Sequence, residues 1–178
     1  EFASMKEIRL NAAGVMHKNK FHVFGGYGIY ISQKTTELIS VDGGVEDGPE
    51  LPEAVYQHAI TSINSTVSIL SGGWTNANQY STQTWYFNHE TNVFSSGPSL
   101  LIGRHDHSSA TIVDKVTAAK IPIVTGGYNY YNGGTLDSTE LLINGMWQSG
   151  TKCKKMQYHI FICTGAICLT RKGIAFSF

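Results

Sequence analysis

Few side chains in this chain could carry catalytic or metal chemistry. His105-Asp106-His107 is one candidate, since alternate residues of a strand point to the same side and two imidazoles could then share a metal ion. Cys153, Cys163 and Cys168 are separated by nine and four residues, which is not the Cys-x2-4-Cys spacing of zinc sites. No nucleophile elbow, phosphate loop or pair of catalytic carboxylates is recognisable. The sequence therefore predicts no catalytic residue, no metal and no cofactor, and a protein that is not an enzyme.

Residues suited to recognition are more frequent. Three segments, 27–30, 74–80 and 128–134, combine tyrosine, tryptophan and asparagine with little charge. Rigid aromatic rings beside amides are typical of recognition surfaces, and a nearby arginine could pair with an acidic partner. The predicted partner-binding residues are Tyr30, Trp74, Asn76, Asn78, Tyr80, Arg104, His105, Tyr128, Tyr130 and Tyr131. The alternative is structural: Trp74 and Tyr128 pack on a neighbouring unit, and Arg104 forms an internal salt bridge or a hydrogen bond to a carbonyl.

Three glycine pairs position these segments: Gly25-Gly26, Gly72-Gly73 and Gly126-Gly127. They recur at intervals of 47 and 54 residues, and each closes a short β-prone run. Glycine pairs fit places where the backbone turns sharply or lies against a neighbour with no side chain between. A strand-based period near 50 residues is typical of radial repeats.

Each unit reads as four short strands, A to D, separated by turn residues. Phe87 on strand C, and Phe94 and Trp147 on strands D, occupy repeat-equivalent aromatic positions. A histidine opens strand A in the second and third units: His58 and His107. His58 lies 14 residues before Gly72, and the position 14 residues before Gly25 is Asn11, which is therefore the predicted equivalent in the first unit. Because the strands alternate in direction, the B–C loop and the D-to-A connection should emerge at the same end of each sheet.

The glycine pairs, the two Gly-Pro-x-Leu elements that begin at Gly48 and Gly97, and the Arg-x-x-His-Ser run from Arg104 resemble the kelch repeat. The resemblance covers about residues 11–150. It implies an all-β fold: a kelch-type β-propeller segment of three four-stranded antiparallel blades plus a degenerate fourth, with Phe87, Phe94 and Trp147 buried between blades. By resemblance, such a propeller is a protein–protein interaction scaffold, as in ubiquitin-ligase adaptors and cytoskeletal binders. A kelch-fold enzyme such as a sugar isomerase is the alternative.

The repeat predicts a leader at 1–10, three units at 11–57, 58–106 and 107–150, and an atypical tail at 151–178. The tail lacks the Gly-Pro element and a glycine pair, and it is the predicted degenerate partial blade. Three blades cannot close a ring of ordinary blade shape, and an open arc would leave an apolar face bare at each end. The remaining blades are therefore expected from a longer chain; the alternatives are that two such chains complete a ring or that the chain is an incomplete product.

Charge and hydropathy narrow the partner classes further. The formal net charge is zero, which favours neither nucleic acid nor a membrane surface. Residues 1–140 nevertheless carry a net charge of −5, whereas residues 141–178 contain no acidic residue. The longest apolar run, residues 160–169, is about half a membrane span, and no signal peptide is visible. The sequence predicts a cytoplasmic protein whose partner is another protein of unknown identity.

Overall fold

The computed structural model describes residues 4–77 and 79–153, and this part of the chain is all-β. Its strands are β1 (Ala13–His17), β2 (Lys20–Phe24), β3 (Thr36–Ser40), β4 (Val45–Asp47), β5 (Val55–Tyr56), β6 (Ala59–Ser62), β7 (Val67–Ser71), β8 (Trp74–Thr75), β9 (Thr84–Asn88), β10 (Val93–Ser96), β11 (Ser108–Val113), β12 (Lys120–Thr125), β13 (Tyr128–Asn129), β14 (Gly134–Thr135), β15 (Thr139–Ile143) and β16 (Met146–Ser149). A 3₁₀ turn covers Tyr130–Asn132.

The strands form three four-stranded antiparallel sheets in chain order: β1-β2-β3-β4, β6-β7-β9-β10 and β11-β12-β15-β16. Two short ribbons, β5-β8 and β13-β14, accompany them, and no sheet in this part of the chain is closed. The first strands lie side by side, β1 beside β6 and β6 beside β11. Each sheet therefore repeats the same up-and-down path and meets its neighbour along its first strand.

The middle sheet is covered on both faces, which explains its nearly continuous apolar strands. Leu70 and Phe87 point into one core cluster with Phe24 of the first sheet. Ile69 and Tyr86, one residue earlier on the same strands, point into a second cluster with Trp147 of the third sheet. The alternation follows directly from the two-residue period of a strand.

The expectation that all three repeat-equivalent aromatic residues are buried is correct for two of them. Phe87 and Trp147 are buried, whereas Phe94 is half-buried. Phe94 lies on β10, the edge strand of the middle sheet, and packs at the margin of the first core cluster. Its ring centroid is 4.6 Å from that of Phe87 and 6.3 Å from that of Phe24.

The glycine pairs occupy equivalent positions, as the repeat predicts. The first glycine of each pair has a positive φ, between 54° and 67°, which strongly favours glycine. A Cβ on Gly25 would lie 2.5 Å from the Val55 carbonyl, and one on Gly72 would lie 2.5 Å from the Arg104 carbonyl. Because neither glycine has a side chain, the connection that leads into the next unit can pack directly against the backbone of Gly25 and of Gly72.

The start of the first unit differs by one residue from the sequence alignment. Asn11, Gln57 and Asp106 share left-handed φ values of 53° to 55° just before the first strand of each sheet. Ala12, not Asn11, is therefore the equivalent of His58. The offset failed because the β1–β2 hairpin, from Ala13 to its partner Phe24, is one residue shorter than the β6–β7 hairpin, from Ala59 to its partner Ser71.

The repeat path also continues three residues further than predicted. Thr139 Oγ1 donates to the Thr151 carbonyl at 2.6 Å, as Thr84 Oγ1 donates to the Pro98 carbonyl at 2.7 Å. Cys153 N then donates to a carbonyl at the start of strand β15, as Leu100 N does at β9. Residues 151–153 therefore make the same contacts as residues 98–100, since the contact at Thr151 needs only a backbone carbonyl. Residues 154–178 lie outside the described part of the chain.

Candidate recognition surface

Backbone pairing brings the predicted loops and connections together at one end of the sheets, which we call the loop end. In each unit the connection pairs with the residue that follows the glycine pair: Leu10 with Tyr27, Tyr56 with Trp74, and His105 with Tyr128. The opposite end carries the tight turns between successive strands, and we call it the hairpin end. The strand-parity argument is thus confirmed in all three units.

A continuous series of ring contacts crosses the loop end from the first unit to the third. Tyr27 is 5.1 Å from Tyr56, and Tyr56 is 6.2 Å from Trp74. The series continues through Tyr80, which stacks on His105 at 5.4 Å with the planes 15° apart and meets Tyr131 edge-on at 5.7 Å. We call this set the ring series: Tyr27, Tyr56, Trp74, Tyr80, His105, Tyr128, Tyr131 and Tyr130.

The predicted contact residues differ in how far they are exposed. Tyr30, Tyr131 and Tyr130 expose 91%, 79% and 69% of their surface. Tyr128 and Asn76 are also exposed, whereas Trp74 and Tyr80 are half-buried and support the exposed rings. The predicted contact Asn78 lies outside the described residues.

Hydrogen bonds stiffen these loops and connect them. Asn129 is buried; its Oδ1 accepts a hydrogen bond from Tyr131 N at 3.0 Å, and its Nδ2 donates to the Gly103 carbonyl at 2.6 Å. Ser32 Oγ of the first unit donates to Asn76 Oδ1 of the second at 3.3 Å. The exposed rings are therefore held on a preorganised backbone, which lowers the entropy cost of binding.

His105 is a supporting residue, not an exposed contact as predicted. It is buried between Trp74, Tyr80 and Tyr128, and its Nδ1 lies 2.9 Å from Asp106 Oδ2. His107 lies elsewhere: its Nε2 is 2.9 Å from Ser71 Oγ of the second unit. The two imidazoles do not share a side, because the left-handed Asp106 between them breaks the strand alternation. Among the described residues, no group of three His, Cys, Asp or Glu side chains is placed to hold a metal ion.

Arg104 is also withdrawn from the surface, and its predicted role as an exposed contact is wrong. Its side chain is 0% exposed, and Nη2 lies 2.7 Å from Glu140 Oε1. The other guanidinium hydrogens go to the carbonyls of Ile102, Gly126 and Ser138 and to the Ser138 hydroxyl. All five donors of the guanidinium are thereby used. The structural alternative considered for this residue is the one found.

We call this buried pair of an arginine and a glutamate, with its hydrogen bonds to the backbone, the clasp. The same clasp recurs in the first unit. Arg9 pairs with the buried Glu37 at 2.9 Å and donates to the carbonyl of Gly25, the equivalent of Gly126. The carboxylates also accept backbone N–H groups from equivalent positions: Glu37 from Lys6 and Glu7, and Glu140 from Leu101 and Ile102.

The second unit replaces this clasp with apolar residues. Val55 stands at the arginine position, Trp85 stands at the glutamate position, and both belong to the first core cluster. Pro52, which has no N–H, stands where Leu101 donates in the third unit. Sequence reasoning missed the clasp, although the signal was present: arginine and glutamate occur together in two units and are lost together in the other.

The left-handed residues form a second link between the units. Gln57 N donates to the Asn11 carbonyl at 2.9 Å, and Asp106 N donates to the Gln57 carbonyl at 3.0 Å. Gln57 Nε2 also donates to Asp106 Oδ2 at 2.8 Å. Burial raises the pKa of the neighbouring Tyr56, and the proximity of Tyr27 and Asp106 raises it further. Because Gln57 directly follows Tyr56, its hydrogen bond holds the Asp106 carboxylate beside the connection into the second unit.

His58 and His107 are structural residues of the interior. Burial lowers the pKa of His58 to about 4 and that of His107 well below its usual range. Both ring nitrogens of His58 lack a hydrogen-bond partner among the described residues, because Phe24 stands in the first unit where Ser71 receives His107 in the second. The cavity beside His58 has a volume of about 10 Å³, which is too small for a substrate.

No protein-family model matches this chain, and no curated protein matches it. In the described part of the chain, no helix is long and apolar enough to cross a membrane.

Proposed function

We propose that the three sheets are consecutive blades of a kelch-like propeller and that the chain is a non-catalytic module that binds another protein through its loop end. The observation that carries this proposal is the ring series, which is continuous across three units and ends in exposed tyrosines. Tyrosine and tryptophan provide large contact area at low entropy cost, and they are enriched among the residues that dominate protein interfaces.

The blade arrangement has its own support. Gly26 N donates to the Val55 carbonyl at 2.9 Å, and Gly73 N donates to the Arg104 carbonyl at 2.8 Å, so each of the first two glycine pairs receives the connection of the next unit. The corresponding connection for Gly126-Gly127 would follow residue 153 and lies outside the described residues. In the proposed propeller, this third pair faces a further blade in the same way.

The test is a comparison of partner capture between two triple alanine variants of the full-length protein. Tyr30, Tyr130 and Tyr131 are the most exposed rings at the loop end, and their replacement should change stability little, since exposed substitutions usually fall within about 0.5 kcal/mol each. The control variant replaces three exposed apolar residues near the hairpin end: Met16, Val113 and Met146. We expect the first variant to lose the partners that the wild type and the control retain. Equal capture by both variants would refute the loop end as the binding surface.

A further inference from the structure

The burial of Arg104 removes the positive charge that could have met an acidic partner at the loop end. Arg9 and Arg104 are both enclosed in their carboxylate clasps, so neither presents a positive charge. The described lysines lie at the hairpin end (Lys18, Lys20, Lys115, Lys120), in ion pairs with Asp47 and Asp137 (Lys6, Lys152), or exposed in the loop between β2 and β3 (Lys34). Among the described residues, no lysine or arginine forms an ion pair with the half-exposed carboxylate of Asp106.

Backbone and side-chain hydrogen bonds fix the position of Asp106. Its backbone is left-handed and bonded to Gln57, and its carboxylate is held by Gln57 Nε2 and beside His105 Nδ1. The side chain still exposes 49% of its surface. Tyr56 directly precedes Gln57 on the connection into the second unit and pairs with Trp74, with their ring centroids 6.2 Å apart. Trp74 also lies 5.4 Å from the ring of His105, which directly precedes Asp106. A fixed carboxylate thus borders a run of aromatic rings.

We propose that this corner of the loop end, formed by Tyr56, Trp74 and Asp106, receives a cationic side chain of the partner protein, a lysine ammonium or an arginine guanidinium. Ring faces attract cations within about 6 Å of the centroid, and a carboxylate adds a charge-assisted hydrogen bond. An acidic partner, which the sequence analysis considered as one possibility for Arg104, would meet a carboxylate and no exposed Arg104 guanidinium. This inference rests on the proposed function and specifies the chemistry of its partner.

The experiment measures the binding of fluorescent hexa-lysine, hexa-arginine and hexa-glutamate peptides to the full-length protein by anisotropy. Asp106→Asn removes the charge but suits the left-handed backbone, and its amide oxygen can still accept from Gln57. Asp42→Asn is the matched control, because it removes one exposed carboxylate from a turn at the hairpin end. Tyr56→Leu tests the ring. Each measurement is made at low salt and again at about 0.15 M salt, where remote charges are largely screened.

We expect both basic peptides to bind and hexa-glutamate not to bind. Asp106→Asn and Tyr56→Leu should each weaken binding roughly two- to thirtyfold, whereas Asp42→Asn should have no such effect at about 0.15 M salt. The inference is overturned if the basic peptides do not bind, if hexa-glutamate binds better, or if the two Asp→Asn variants lose the same amount. If Asp106→Asn has no effect while the exposed tyrosine variant still loses its partners, the loop end binds a protein but not through a cation. The proposed function then stands and the inference fails.

Discussion

Replacing Arg104 with methionine should destabilise the protein far more than any substitution at the surface. The variant removes five hydrogen bonds and leaves the buried Glu140 carboxylate with only the backbone N–H groups of Leu101 and Ile102. Breaking a buried ion pair from one side costs about 3–5 kcal/mol, because the remaining charge is uncompensated. That is a large share of the 5–15 kcal/mol that typically stabilises a domain.

The second unit shows how the loss can be compensated. Arg104→Val with Glu140→Trp copies its apolar pair and removes both charges, so we expect this double variant to recover part of the lost stability. The backbone N–H groups of Leu101 and Ile102 would still lack their acceptor, at a cost of about 1–3 kcal/mol each. Adding Leu101→Pro copies Pro52 and removes one of these two donors, so the triple variant should be more stable than the double.

Equilibrium unfolding in denaturant measures the free energy of unfolding of each variant. Lys34→Met is the control, since it deletes an exposed cation and should change stability by less than about 0.5 kcal/mol. The reasoning fails if Arg104→Met costs no more than this control. It also fails if removing both charges is as damaging as removing one, because the cost would then not come from the uncompensated carboxylate.

Three further outcomes follow from the packing. Burial lowers the pKa of His58 from 6.5 to about 4 in the folded state, so between these pH values the unfolded state binds a proton that the folded state does not. The contribution of His58 to the free energy of unfolding is therefore fully present above pH 6.5 and is lost as the pH falls to about 4. The free energy of unfolding should fall between neutral pH and about pH 4.5, and this fall should be about 2–3 kcal/mol smaller in His58→Asn than in the wild type. Denaturant unfolding at the two pH values measures the difference. Trp147→Ala should cost about 3–5 kcal/mol and Phe94→Ala clearly less, and equal shifts of the denaturation midpoint would contradict their different burial. Gly72→Ala should lower thermal stability more than Gly145→Ala, because both require a left-handed alanine but, of these two, only a Cβ at position 72 would lie within 2.5 Å of a carbonyl of the described residues; the reverse order would exclude this contact as the cause.

Much of the fold was readable from the sequence because its signals are local. Strand alternation, turn residues and left-handed glycines depend on a few neighbouring residues, so the all-β fold and its antiparallel sheets were predicted correctly. The meeting of loops and connections at one end follows from strand direction alone. The differences from the predicted fold had local causes. The first hairpin is one residue shorter than that of the second unit, so Ala12 and not Asn11 is the equivalent of His58. Thr151 stands where the second unit has Pro98, and the hydrogen bond made there needs only a backbone carbonyl.

The character of the candidate site was decided only by tertiary structure. Whether Arg104 faces a partner or Glu140 depends on a contact 36 residues away, and the same residue type is common in both settings. His105 became a support and His107 an interior residue because of one left-handed residue between them. The sequence determined that rings and amides gather at the loop end, since local turns place them there. Only the packing of one sheet on the next determined which of them are exposed and that the exposed charge beside them is negative, because burial of a charge depends on partners distant in the chain.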